Sequence, residues 1–112
     1  MADEVLLAIS TFPDAETARR IATALVTEQL AACANLLPRV QSIYRWQGKL
    51  EEAAEVAVFF KLTRDGYARF EARLKEMHPY DVPEIIALSL ADGLPAYLAW
   101  VRENCASAPQ IV

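Results

Sequence analysis

The residues best equipped for chemistry lie in one short run, His78-Pro79-Tyr80-Asp81-Val82-Pro83-Glu84. It contains the chain's single histidine, a phenol, two carboxylates and two prolines. Proline fixes φ, so a loop held by two prolines can present side chains rigidly. An imidazole near Glu84 could transfer a proton or ligate a metal. The same run also reads as a helix stop with a structural histidine, since helices end at or before a residue preceding proline. Both readings stand on the local sequence.

Other polar residues carry weaker signals. Ser10-Thr11 ends an apolar run and could bind a ligand or satisfy backbone groups. Cys33 sits in an apolar segment, where a lone cysteine reads as inert packing. Tyr44 and Trp46 are two residues apart and could stack a ligand or pack at an interface. Glu55 and Lys61 share a strand face by parity, as a surface charge pair or as a functional pair at a subunit boundary. There is no Gly-rich phosphate loop, G-x-S-x-G, H-E-x-x-H or Cys/His cluster.

The elements that must position these residues follow from periodicity. Glu4 to Ser10 is a short apolar run that predicts a buried strand. Asp14 is placed as an N-cap, and Ala18, Ile21, Ala22, Leu25, Val26 and Leu30 recur at helical spacing, predicting a helix over 15–30. Residues 32–37 stop at Pro38. A period-2 segment follows, with Val40, Ser42, Tyr44 and Trp46 on one side. Gln47-Gly48 predicts a tight turn, and a return strand runs from Leu50 to Thr63. Its middle is apolar at every position, so burial on both faces is expected. Tyr67, Phe70, Leu74 and Met77 predict a second helix ended by His78-Pro79. Val82 to Leu90 predicts a last strand, and Pro95 opens a terminal helix carrying Leu98 and Val101. The expected class is α+β: a ferredoxin-like βαββαβ antiparallel sheet with an added C-terminal helix.

Length and composition bound the rest. The 112 residues are enough for a single domain, expected over 1–112. Hydrophobic residues make up 54% and charged residues 23%, a globular balance. A net charge of −4 disfavours nucleic acid and anionic membrane as partners. The apolar run near the N-terminus is too short for a secretory signal, and no stretch approaches a membrane span. Two distant cysteines form no disulfide framework. A cytoplasmic protein is expected. The hairpin around Gln47-Gly48 is longer than its sheet, and its uncovered apolar edge predicts self-association.

Five segments then carry a family resemblance. They are Leu30-Ala31-Ala32-Cys33-Ala34-Asn35, Tyr44-Arg45-Trp46-Gln47-Gly48-Lys49-Leu50, Glu55 with Lys61-Leu62-Thr63, the His78 to Glu84 run, and Tyr97-Leu98-Ala99-Trp100. In this order and spacing the chain resembles the CutA family, the divalent-cation tolerance proteins, from about Val5 to Trp100. The resemblance implies a homotrimer similar in architecture to the PII signalling proteins, closed by hairpin strands that pair between subunits. It also implies association with tolerance to copper and other divalent cations, and in a eukaryotic branch with acetylcholinesterase anchoring.

The resemblance places family copper ligands at Ser10, Met77 and His78. Only His78 is a strong ligand, and the thioether of Met77 suits Cu(I) better than Cu(II). The expectation is weak Cu²⁺ binding through His78, with no cofactor required. Three functions compete. The first is a trimeric, PII-like protein that responds to a small ligand in inter-subunit clefts lined by Tyr44, Trp46, Lys61, His78, Tyr80 and Glu84. The second is a copper-binding tolerance protein. The third is a small enzyme with His78 as general base and Glu84 orienting it; the absence of an evident nucleophile ranks it last.

Overall fold

The structure is a computed structural model that describes residues 3–107. The ends of the expected 1–112 domain lie outside those residues. Strand β1 (Val5–Phe12) leads into helix α1 (Ala15–Thr27), whose N-cap Asp14 accepts a 2.7 Å hydrogen bond from the Thr17 amide. That bond satisfies one of the free N–H groups of the first turn. The helix is shorter than its apolar period predicts. Gln29 adopts φ 59°, and Leu30 and Gln29 donate back to the Leu25 and Val26 carbonyls. This is a left-handed C-terminal cap made without glycine.

Strands β2 (Cys33–Trp46) and β3 (Lys49–Thr63) form the long hairpin. Gln47 and Gly48 have φ of 50° and 78°, the backbone that a two-residue primed turn requires. Pro38 does not end the first strand, as the sequence suggested. The ladder shifts between Leu37 and Val40, and one extra residue on β2 absorbs the proline, which has no N–H to donate.

Helix α2 (Tyr67–Met77), strand β4 (Ile85–Ser89) and helix α3 (Pro95–Glu103) complete the chain. The sheet order is β2-β3-β1-β4, with antiparallel neighbours throughout. That is the split βαβ arrangement expected from the element order. Strand β4 begins three residues later than predicted. It pairs only with Leu6 to Ser10 of β1, and residues 79–84 form a loop instead.

The core is built on one sheet face. Leu6, Ala8 and Phe12 of β1 and Val56, Val58, Phe60 and Leu62 of β3 pack against Ile21, Leu25, Phe70 and Leu74 of the first two helices. Helix α3 seats Val101 on Val5 and Ala32, a second cluster. Residues Glu55 to Val58 are all buried, which agrees with the expected two-sided burial at mid-strand. Strand β1 reaches only to Val56 of β3. Lys49 to Glu55 therefore pair with β2 alone, and the hairpin projects beyond the sheet as a two-stranded arm.

Candidate functional site

His78 caps the C-terminus of α2 and is 7% exposed. Its ring stacks on Phe12 with centroids 4.7 Å apart. The Tyr80 amide donates to Nδ1 at 3.1 Å, so that nitrogen carries the lone pair. Nε2 therefore carries the hydrogen and donates to the Thr11 carbonyl at 2.8 Å. Both ring nitrogens are committed, and the imidazole is neutral. Burial pushes its pKa down, opposed by the Thr11 carbonyl and the Glu55 charge.

The folded-state value thus lies below the unfolded value of about 6.5. Between those two values the unfolded chain binds the extra proton, so stability falls as pH drops from about 6.5 towards the folded pKa. Urea denaturation at stepped pH is expected to show this loss, with a shallower slope in His78→Gln. Asp14, Glu4 and Glu28 have lowered carboxyl pKa values and contribute a separate loss at more acid pH. An identical slope in the variant would remove His78 from the account.

Beside the histidine lies a cavity of about 670 Å³ at the root of the arm. Tyr44 and Trp46 of β2 and Glu55 of β3 line one side; Tyr80, Asp81 and Glu84 of the loop line the other. Glu55 is 8% exposed, and the Tyr80 hydroxyl donates to its Oε2 at 2.6 Å. Burial and the neighbouring carboxylate hold the Tyr80 pKa well above the ordinary phenol value. The chain turn at His78 creates this pair: the ring holds the Tyr80 amide, and the Tyr80 side chain reaches across to β3.

The structure brings together Tyr44, Trp46, Tyr80 and Glu84 from the residues expected to line a cleft. Within one subunit neither Lys61 nor His78 lines this cavity. Lys61 lies beside Cys33 and Leu7 in the sheet and donates to the Asn35 side chain. Glu55 and Lys61 are not a charge pair, because six residues of extended strand span roughly 20 Å. Cys33 is also not inert core. It is half-buried, with Sγ 3.5 Å from the Tyr97 hydroxyl, and that contact pushes the Tyr97 pKa up to about 12. The Glu55–Tyr80 pair was not foreseen. Its one signal was a carboxylate where the doubly apolar stretch of β3 begins.

The residues expected to hold copper do not fit a metal. His78 has no free lone pair, because Nδ1 accepts from Tyr80. Ser10 is fully buried, and among the described residues its Oγ has no hydrogen-bond partner. Met77 packs against the core. Among the described residues no three His, Cys, Asp or Glu side chains converge on a point that could hold a metal ion.

The profile of the family described as CutA1 divalent ion tolerance protein matches residues 6–104. The divalent-cation tolerance protein CutA of Thermus thermophilus is 49% identical over 102 residues, covering 91% of this chain and 97% of that one. The solved structure of the Thermus thermophilus protein superposes with a TM-score of 0.89 at 46% identity, over 91% of this chain and 99% of that one. The CutA1 structure from Oryza sativa gives a TM-score of 0.91 at 32% identity, over 95% and 97% of the two chains. The Thermus thermophilus protein is named for tolerance of divalent cations, and its name states no reaction.

Proposed function

This chain belongs to the CutA1 divalent ion tolerance family, and from that premise we propose that it acts as a homotrimeric, ligand-responsive protein. The ligand site is the cavity between the hairpin arm and the His78–Glu84 loop. The observation that carries this reading is the Tyr80–Glu55 bond, which ties the loop to the arm across that cavity. A ligand that touches both elements would register their relative position. In a PII-like trimer the arms would pair with neighbouring subunits, so the same movement would reach the assembly. Cation tolerance would then follow from ligand response and not from copper held at His78.

Support for the trimer comes from the surface. Tyr44, Trp46 and Leu50 on the arm, and Ile86 and Leu88 on edge strand β4, are exposed apolar residues. Such patches mark association sites, and closure removes exposed strand edges. Two unpaired cysteines are consistent with a reducing, cytoplasmic setting. Among the described residues no helix is long and apolar enough to cross a membrane. An enzymatic role gains no support, because the neutral His78 ring has no free nitrogen to act as a base.

Sedimentation velocity at micromolar concentration tests the assembly. The expected mass is three times the 12.5 kDa subunit. A monodisperse monomer would overturn the trimer. Thermal-shift measurement against a panel of charged and neutral metabolites tests the ligand site, since a ligand of the folded state raises apparent stability by about 2.7 kcal/mol at a hundred times Kd.

A further inference from the structure

We infer that the cavity at the root of the arm takes a small organic ammonium ion: an amine or quaternary ammonium group on an apolar body. The inference rests on the reading of this cavity as the ligand site and adds the chemistry of its ligand.

The lining supplies three aromatic rings, Tyr44, Trp46 and Tyr80, and three carboxylates, Glu55, Asp81 and Glu84. Among the described residues of one subunit it includes no lysine or arginine. Among the described residues none of the three carboxylates is in an ion pair. Glu55 is the decisive group. It is more than nine-tenths buried, and its partner is a neutral phenol, not a cation. A carboxylate withdrawn from water is stabilised when an opposite charge enters beside it. An anionic ligand would meet three like charges and is excluded on that ground.

Two features select an organic cation over a metal ion. A metal needs several donors within about 2.0–2.6 Å of one point. No three metal-ligating side chains converge in that way among the described residues. The volume of about 670 Å³ also suits a molecule, not a bare ion. Aromatic faces attract alkylammonium groups, most strongly at tryptophan, and the dispersed carboxylates can meet more than one ammonium centre. The net charge of −4 favours the approach of such a ligand.

Isothermal titration of the assembled protein with choline and, separately, with spermidine tests the inference. Hexanoate serves as the anionic control and potassium chloride as the ionic-strength control. The expected result is saturable binding of at least one amine, no binding of hexanoate, and at least tenfold weaker binding in Glu55→Gln. Choline alone would indicate a single quaternary site; spermidine alone would indicate spaced primary and secondary ammonium centres. If Glu55→Gln does not fold, Glu84→Gln at the exposed rim decides, with weaker binding again expected. Failure of both amines to bind a correctly assembled protein overturns the inference. If an uncharged or anionic compound from the metabolite panel instead binds and protects Tyr44 from modification, the ammonium assignment falls while the ligand site stands. If no compound binds, both fall.

Discussion

Replacing His78 with alanine is expected to lower stability by about 3 kcal/mol and to leave Cu(II) binding unchanged. The ring stacks on Phe12 and fills space at the end of α2. Its removal strands the Thr11 carbonyl and the Tyr80 amide, both of which the imidazole satisfies. Each unsatisfied buried group costs about 1–3 kcal/mol, and the lost packing adds to that. Against a typical total of about 5–15 kcal/mol, this is a large fraction. Urea denaturation at fixed protein concentration measures the loss. Calorimetric titration with Cu(II) at neutral pH measures the second half of the prediction. Binding in wild type that disappears in His78→Ala would show that the ring releases Tyr80 and ligates metal.

Replacing Trp46 with alanine is expected to weaken assembly by roughly 2–4 kcal/mol per interface while leaving the subunit fold intact. Trp46 is 45% exposed in the single chain, next to the Gln47-Gly48 turn at the tip of the arm. Leu50, which pairs with Arg45 on the next rung of the ladder, is 73% exposed. Trp46 turns part of its surface to the cavity beside Tyr80, and its remaining surface and that of Leu50 are open in the single subunit. Interface tryptophans in such positions commonly dominate association. Sedimentation across a dilution series is expected to show the variant dissociating at concentrations where wild type stays assembled. Its far-ultraviolet circular dichroism is expected to match wild type, because the core lies on the other elements. An unchanged assembly on dilution would place Trp46 away from the subunit boundary.

The amino-acid sequence alone determined the features set by near neighbours. Asp14 caps its own helix through a residue three positions away. The turn at Gln47-Gly48 is set within two adjacent residues, both at positive φ, and glycine takes one of those positions without steric cost. Period-2 and period-3.6 patterns ordered the strands and helices, because side-chain direction repeats with local geometry. Tertiary structure decided the rest. The end of α1 is a left-handed cap on glutamine, which carries no glycine signal, and Pro38 is absorbed by a ladder shift that depends on the partner strand. Parity put Glu55 and Lys61 on one face but said nothing of their separation along the strand. Above all, His78 is satisfied by a backbone carbonyl 67 residues away, and Glu55 by a phenol 25 residues away. Every residue has a backbone carbonyl, so the sequence does not mark which one will accept the ring's hydrogen bond. Only the folding of the loop against β1 and β3 turned a candidate metal ligand into a neutral structural ring, and made a strand carboxylate the buried wall of a cavity.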